Sequence, residues 1–180
     1  MRTRITILVV VLAAVAAGTF VAIEASQRRR ASPHESTDGT IDGAALTITY
    51  GRPYMRGRTI MGALVPYNKI WCPGADEVTT LTTSKPLRLG SLPLAAGGYA
   101  IWMLPTADDW TLILNSDTGA FHNYHDSRTD VGKITLQKRM LDEPVEQLTF
   151  LIEKNPSGPG GVLKMQWEKT ELFAPFTVVQ

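Results

Sequence analysis

Residues 77–105 read EVTTLTTSKPLRLGSLPLAAGGYAIWMLP, and this stretch decides the fold. Its first eight residues are dominated by threonine and other β-branched side chains. These lose rotamer freedom in a helix but suit a pleated strand. PLRLGSL follows as a short hairpin arm. Gly97-Gly98 then turns the chain into an apolar strand that stops at Pro105, which has no N–H to continue a ladder.

The same punctuation extends in both directions. Upstream, ALTITY (45–50) alternates with a period of two. Downstream come DWTLILN (109–115), KITLQKR (133–139), VEQLTFLIEK (145–154), VLKMQWEKTELF (162–173) and PFTVV (175–179). KNPSGPGG separates two of these as a turn by composition. About eight to ten short strands with closely spaced turn signals, and no amphipathic helix, predict an all-β domain over 41–180. The expected form is an antiparallel β-sandwich, jelly-roll or Ig-like, rather than βαβ units. Trp102, Trp110 and Trp167 sit inside strands beside apolar neighbours and are expected in the core.

The front of the chain follows different rules. Ile5 to Ile23 carries no charge and as a helix would measure about 28 Å, close to the hydrocarbon thickness of a bilayer. Residues 1–25 therefore read as an N-terminal apolar helix, an uncleaved signal anchor. The alternative is a cleaved signal peptide, for which Ala25 is the best cleavage position despite bulky Ile23 two residues before it. SQRRRASPHESTDGT (26–40) is polar and lacks an apolar period, so it is expected to be a flexible linker, with His34 carrying no role. This layout places the domain at the bacterial inner membrane facing the periplasm or exterior, or in the medium if the leader is cut. The membrane is its first expected partner.

Charge excludes one class of partner. Met1 to Ala31 holds five arginines and one glutamate; without them the 18 basic and 17 acidic residues become 13 and 16. A mildly acidic domain without a basic stripe is a poor nucleic-acid binder. The single cysteine, Cys72, forms no internal disulfide.

Three constellations carry candidate chemistry. RPYMRGR supplies Arg52, Arg56 and Arg58; either the three converge on an anion, or Arg52 or Arg58 pairs with Asp76 or Glu77 to hold an arch. NKIWCPGADE places Trp71, Cys72, Asp76 and Glu77 at the mouth of a strand. Adjacent carboxylates on a strand point to opposite faces and are no ready acid–base pair. Cys72 has no local base motif and reads as a small buried hydrophobe. FHNYHDSRTD offers His122, His125 and Asp126 as zinc ligands, against a plain polar loop.

YGRPYMRGRTIMGALVPYNKIWCPGADEVTTLTTSK resembles a bacterial domain-of-unknown-function family, number 2911. Tyr50, Arg52, Pro53, Gly57, Arg58, Leu64, Val65, Pro66, Tyr67, Trp71, Gly74, Ala75 and Glu77 follow the family's order. The resemblance continues through LPLAAGGYAIWMLP, DWTLILN, HDSRTDV, PVEQLTF and MQWEKT, from Leu46 to the C-terminus. It departs at Cys72 and Pro73, where the family usually has arginine and a variable residue, and at Asp76, where it has asparagine. A shared fold and export are what the resemblance implies, with little chemistry.

The resulting expectation is a tethered or secreted, non-catalytic binding or scaffolding module that needs no cofactor. Its ligand surface is Arg52, Arg58, Trp71, Asp76 and Glu77, and its ligand a glycan, a peptide or an envelope protein. The alternative is a metal-assisted hydrolase of cell-envelope material, with zinc held by His122, His125 and a carboxylate such as Asp126.

Overall fold

The structure is a computed structural model and describes residues 31–179. The expected signal anchor or signal peptide, and the linker as far as Arg30, lie outside the described residues. His34–Gln180 forms one compact unit.

Among the described residues nine strands make one antiparallel sheet: β1 (His34–Ile41), β2 (Ala44–Gly51), β3 (Thr80–Thr83), β4 (Leu87–Leu89), β5 (Leu92–Leu94), β6 (Gly97–Pro105), β7 (Trp110–Asn115), β8 (Asp130–Lys154) and β9 (Gly161–Val178). Their order is β1-β2-β3-β6-β7-β8-β9-β4-β5. A 3-10 turn, Ser127–Thr129, precedes β8. The all-β, antiparallel expectation therefore holds.

Two boundaries are corrected. The linker expected to reach Thr40 gives way at His34 to β1, which pairs residue for residue with β2. A polar sequence can form a strand when the neighbouring ladder supplies the hydrogen bonds and its outer face stays wet. Second, the segments expected as separate strands at 133–139 and 145–154 belong to the single strand β8, and 162–173 and 175–179, short of its last residue, to β9. The Asp142-Glu143-Pro144 turn signal is absorbed by register shifts between Met140 and Thr149, and Glu168 opposite takes φ 55°. A bulge bends a strand without ending it.

Long bent strands let the sheet curl. β2 buries Ala44, Leu46, Ile48 and Tyr50 and leaves alternate residues outside that core. These side chains meet Leu112, Leu136, Phe150, Met165 and Leu172 from the other end of the sheet. Across the gap, Tyr50 OH accepts from the Phe150 N–H at 3.1 Å, and Thr37 Oγ1 donates to the Phe150 carbonyl at 3.0 Å. At Phe150 the edge of β8 is thus satisfied by side chains instead of another strand.

β6 breaks the alternation because both its faces are covered. Ile101 and Met103 join the main core, whereas Ala100 and Trp102 pack with Cys72, Val78 and Ile113 in a second cluster. The cover on this second face comes from the segment that precedes β3, and the same segment builds the site.

Candidate functional site

A wide arch leaves and rejoins the β6 ladder at nearly the same place. Ile101 N–H donates to Thr79 O at 2.8 Å, continuing the β3 pairing. Two residues along β6, Met103 and Trp71 exchange both backbone hydrogen bonds at 2.8 Å. Residues 72–78 therefore bulge out as a compact Ω-like loop with its ends pinned. Thr79 Oγ1 donates to Pro73 O at 2.7 Å inside it. A Cβ on Gly51 would stand 2.0 Å from Ala75 O, so only glycine lets the arch rest on the end of β2.

A second segment, residues 52–58, straps across β8. Leu148 N–H donates to Pro53 O at 3.0 Å and Met55 N–H to Glu146 O at 2.7 Å, flanking a Tyr54–Gln147 bridge. Arg52 fixes this strap: Nε donates to Leu148 O at 3.0 Å, Nη2 to Thr149 Oγ1 at 2.9 Å, and Nη1 to Glu35 at 2.8 Å. Arg58 holds the following turn, with Nε on Met55 O at 2.9 Å and Nη2 on Tyr54 O at 2.6 Å. Both arginines are structural in part, but with Glu35 and backbone carbonyls as partners. The expected pairing with Asp76 or Glu77 is corrected, because the strap aims both guanidiniums at β8 and its own turn.

Strap, arch and the loop before β8 enclose a cleft of about 290 Å³. Buried Val65 and Trp167 and half-buried Trp71 form its apolar base. Exposed Arg58, Asp76 and Leu64, with half-buried His122, form its rim. The Trp71 ring stacks on Trp167 with centroids 6.3 Å apart and planes 14° apart, and meets Trp110 edge-on at 6.2 Å.

The rim groups have free functional atoms. His122 donates from Nδ1 to the Asp76 carbonyl, which leaves Nε2 as the ring's remaining polar atom. Among the described residues nothing binds the Asp76 carboxylate or Arg58 Nη1. Asp76 itself sits at φ 68°, a left-handed conformation that aspartate tolerates better than most residues.

Four of the eight candidate residues, Arg58, Trp71, Asp76 and His122, thus line one cleft. Arg52 and Glu77 lie outside its lining; Glu77 bridges Phe121 through the backbone and stands 3.3 Å from His34 Nδ1. Trp167 is the lining residue that the sequence reading assigned only to the core. It is distant in sequence from the other lining residues, and no local pattern links it to Trp71.

The zinc set is not assembled. His125 Nε2 is 2.7 Å from Asp130 Oδ1, and its ring lies edge-on to Trp102. Asp126 caps the 3-10 turn, accepting from Arg128 N–H at 3.0 Å and from its guanidinium. The Arg128 bonds hold the Asp126 carboxyl at about 2, well below its ordinary value. Among the described residues no three His, Cys, Asp or Glu side chains are placed to hold a metal ion. The i, i+3 spacing that would align two imidazoles requires a helical turn. Here the histidines precede the 3-10 turn, and each is engaged by a different neighbour.

Cys72 is 4% exposed, and burial pushes its thiol up to about 11 against bonds from Thr79. It stays protonated at neutral pH and packs as a small apolar group.

Comparison with known families matches residues 32–176 to the family described as Protein of unknown function (DUF2911). The chain belongs to this family. No curated protein and no solved structure matches it. In this DUF2911 protein Cys72 packs against Val78, Ala100, Trp102 and Ile113, outside the cleft lining, whereas Asp76 stands on the rim.

Proposed function

We propose that this DUF2911 protein is a non-catalytic, extracytoplasmic binding module. We read its curled sheet as a two-layered sandwich and its uncharged N-terminal segment as the membrane tether or export signal. The observation that carries the binding reading is the cleft itself. An aromatic base with a few convergent polar groups is the usual composition of a small-ligand site. The lining offers His122 no serine, threonine, cysteine or lysine to activate, which favours recognition over covalent catalysis.

Two measurements test this reading. A C-terminal reporter that folds only in an oxidising compartment should be active when fused after Gln180; an inactive fusion overturns the location. For the cleft, the full chain in detergent is melted against a panel of small polar compounds. A true ligand at about a hundredfold its Kd raises Tm by about 5 °C or more, and Asp76→Ala removes the shift. A panel that shifts wild type and Asp76→Ala equally overturns the assignment of the cleft.

A further inference from the structure

The chemistry of the cleft narrows the ligand class. A guanidinium, a carboxylate and an imidazole stand around one apolar base, within about 290 Å³. A site for a simple anion gains nothing from Asp76, and a site for a simple cation gains nothing from Arg58. Opposite charges at the rim instead suit a ligand that is neutral overall and has donors and acceptors in alternation. Arg58 Nη1 donates, Asp76 offers two acceptor oxygens, and His122 offers Nε2.

The base adds a shape requirement. Half-buried Trp71 is flat and apolar and is backed by buried Trp167, so the matching ligand has one apolar face and a polar edge. A pyranose ring meets both conditions: its axial C–H groups form an apolar face and its equatorial hydroxyls form the edge. Vicinal hydroxyls also fit the paired oxygens of a carboxylate.

Two further observations agree. The Trp167 indole N–H is buried and has no hydrogen-bond partner among the described residues, an orphan donor in a residue that lines the cleft. Next to His122, the Phe121 ring is 59% exposed, 4.6 Å from the imidazole. With exposed Leu64 on the cleft wall, it extends the apolar surface outward, enough to meet a neighbouring sugar unit. Large exposed apolar side chains gathered at a cleft mouth mark an interaction site.

We propose that the cleft between Arg58, Trp71, Asp76 and His122 binds a neutral carbohydrate, one ring against the Trp71–Trp167 base and the next against Phe121. This rests on the binding-module reading above.

The test uses the full chain in detergent, with tryptophan fluorescence and calorimetry. The probes are neutral oligosaccharides of two to four units, including N-acetylated ones, with free amino acids and dipeptides as the zwitterionic competitors. The proposal expects saturable binding of at least one oligosaccharide that changes little with added salt, because the ligand is uncharged. Asp76→Asn and Arg58→Gln, both at exposed positions, should leave Tm within about 4 °C of wild type and each weaken binding about tenfold, the loss of one charged hydrogen bond. Phe121→Ala should weaken all of these oligosaccharides, the two-unit one included, while leaving the binding of a free monosaccharide unchanged.

Binding of amino acids or dipeptides with no response to any oligosaccharide overturns the carbohydrate assignment and leaves the binding module standing. No saturable response to either group overturns both. Oligosaccharide binding unaffected by all three substitutions overturns the placement in this cleft.

Discussion

Trp71 lies almost parallel to Trp167, one ring on the loop segment before β3 and the other inside β9, with their centroids 6.3 Å apart. This stack joins the cleft to the main core, because Trp167 is 1% exposed and surrounded by sheet residues. Trp71 is also hydrogen-bonded by its backbone to Met103. The base of the cleft is therefore as rigid as the sheet, which lowers the ordering cost of binding.

Trp71→Ala should destabilise the domain by about 2–4 kcal/mol, since it removes aromatic contacts to two tryptophans and leaves a hole beside them. Urea denaturation followed by far-ultraviolet circular dichroism measures this. Trp71→Phe should recover more than half of the loss. A cost below about 1 kcal/mol for the alanine variant would show that the arch stands without the stack.

Arg52 and Arg58 look alike in sequence and should separate in stability. Arg52 donates three hydrogen bonds that tie the strap to β8 and to Glu35. Its loss leaves the Leu148 carbonyl without that donor, so Arg52→Ala should cost about 2–3 kcal/mol. Lysine cannot reproduce the fork and should rescue little. Arg58 is exposed and bonds only neighbouring carbonyls, so Arg58→Ala should cost about 1 kcal/mol or less. Parallel melts of the two variants decide the matter; equal losses would contradict the division of labour.

These contrasts show where local sequence is informative and where it is not. β2, β3, β6 and β7 were legible because alternation, threonine content and Gly or Pro punctuation are local properties of the chain. β1 was not, since HESTDGTI has no apolar stripe and becomes a strand only through its ladder with β2. Nor could sequence reveal that Asp142-Glu143-Pro144 bulges within a strand, because the pairing that carries β8 past it comes from β9. At the site, Trp71 and Asp76 drew notice as neighbours in one dense motif. Trp167 and Val65 join them by tertiary packing alone. Spacing is silent on the histidines for a related reason: it cannot tell whether a histidine faces its neighbour or, as His125 does, Asp130.

Asp130 should leave a trace in acid stability. Burial raises its carboxyl, but bonds from Asn115, His125 and Lys133 outweigh this and hold it below the ordinary value of 3.8. A carboxyl depressed in the folded state stabilises the fold above its unfolded value, and that contribution is lost as pH falls through the folded one. Denaturant midpoints measured between about pH 5 and pH 2 should fall less steeply for Asp130→Asn than for wild type. Parallel slopes would show that the His125–Asp130 pair adds no proton linkage.

Cys72 offers a probe of the arch itself. Its thiol is buried, and burial holds it at about 11, so both exposure and thiolate content oppose reaction with an alkylating reagent. Labelling of native protein at about pH 8 should be slow, and full in denaturant, where the cysteine returns to its free value of about 8.5. Gly51→Ala forces a methyl group against Ala75 O, and the arch must lift to relieve it. That variant should label faster than wild type at denaturant concentrations where the β-sheet signal is unchanged, because local opening precedes global unfolding in a loop held at its ends. Labelling that instead tracks loss of the sheet in both proteins would mean that the arch opens only with the whole domain. The cleft would then be a fixed feature of the fold, with no local motion of its own.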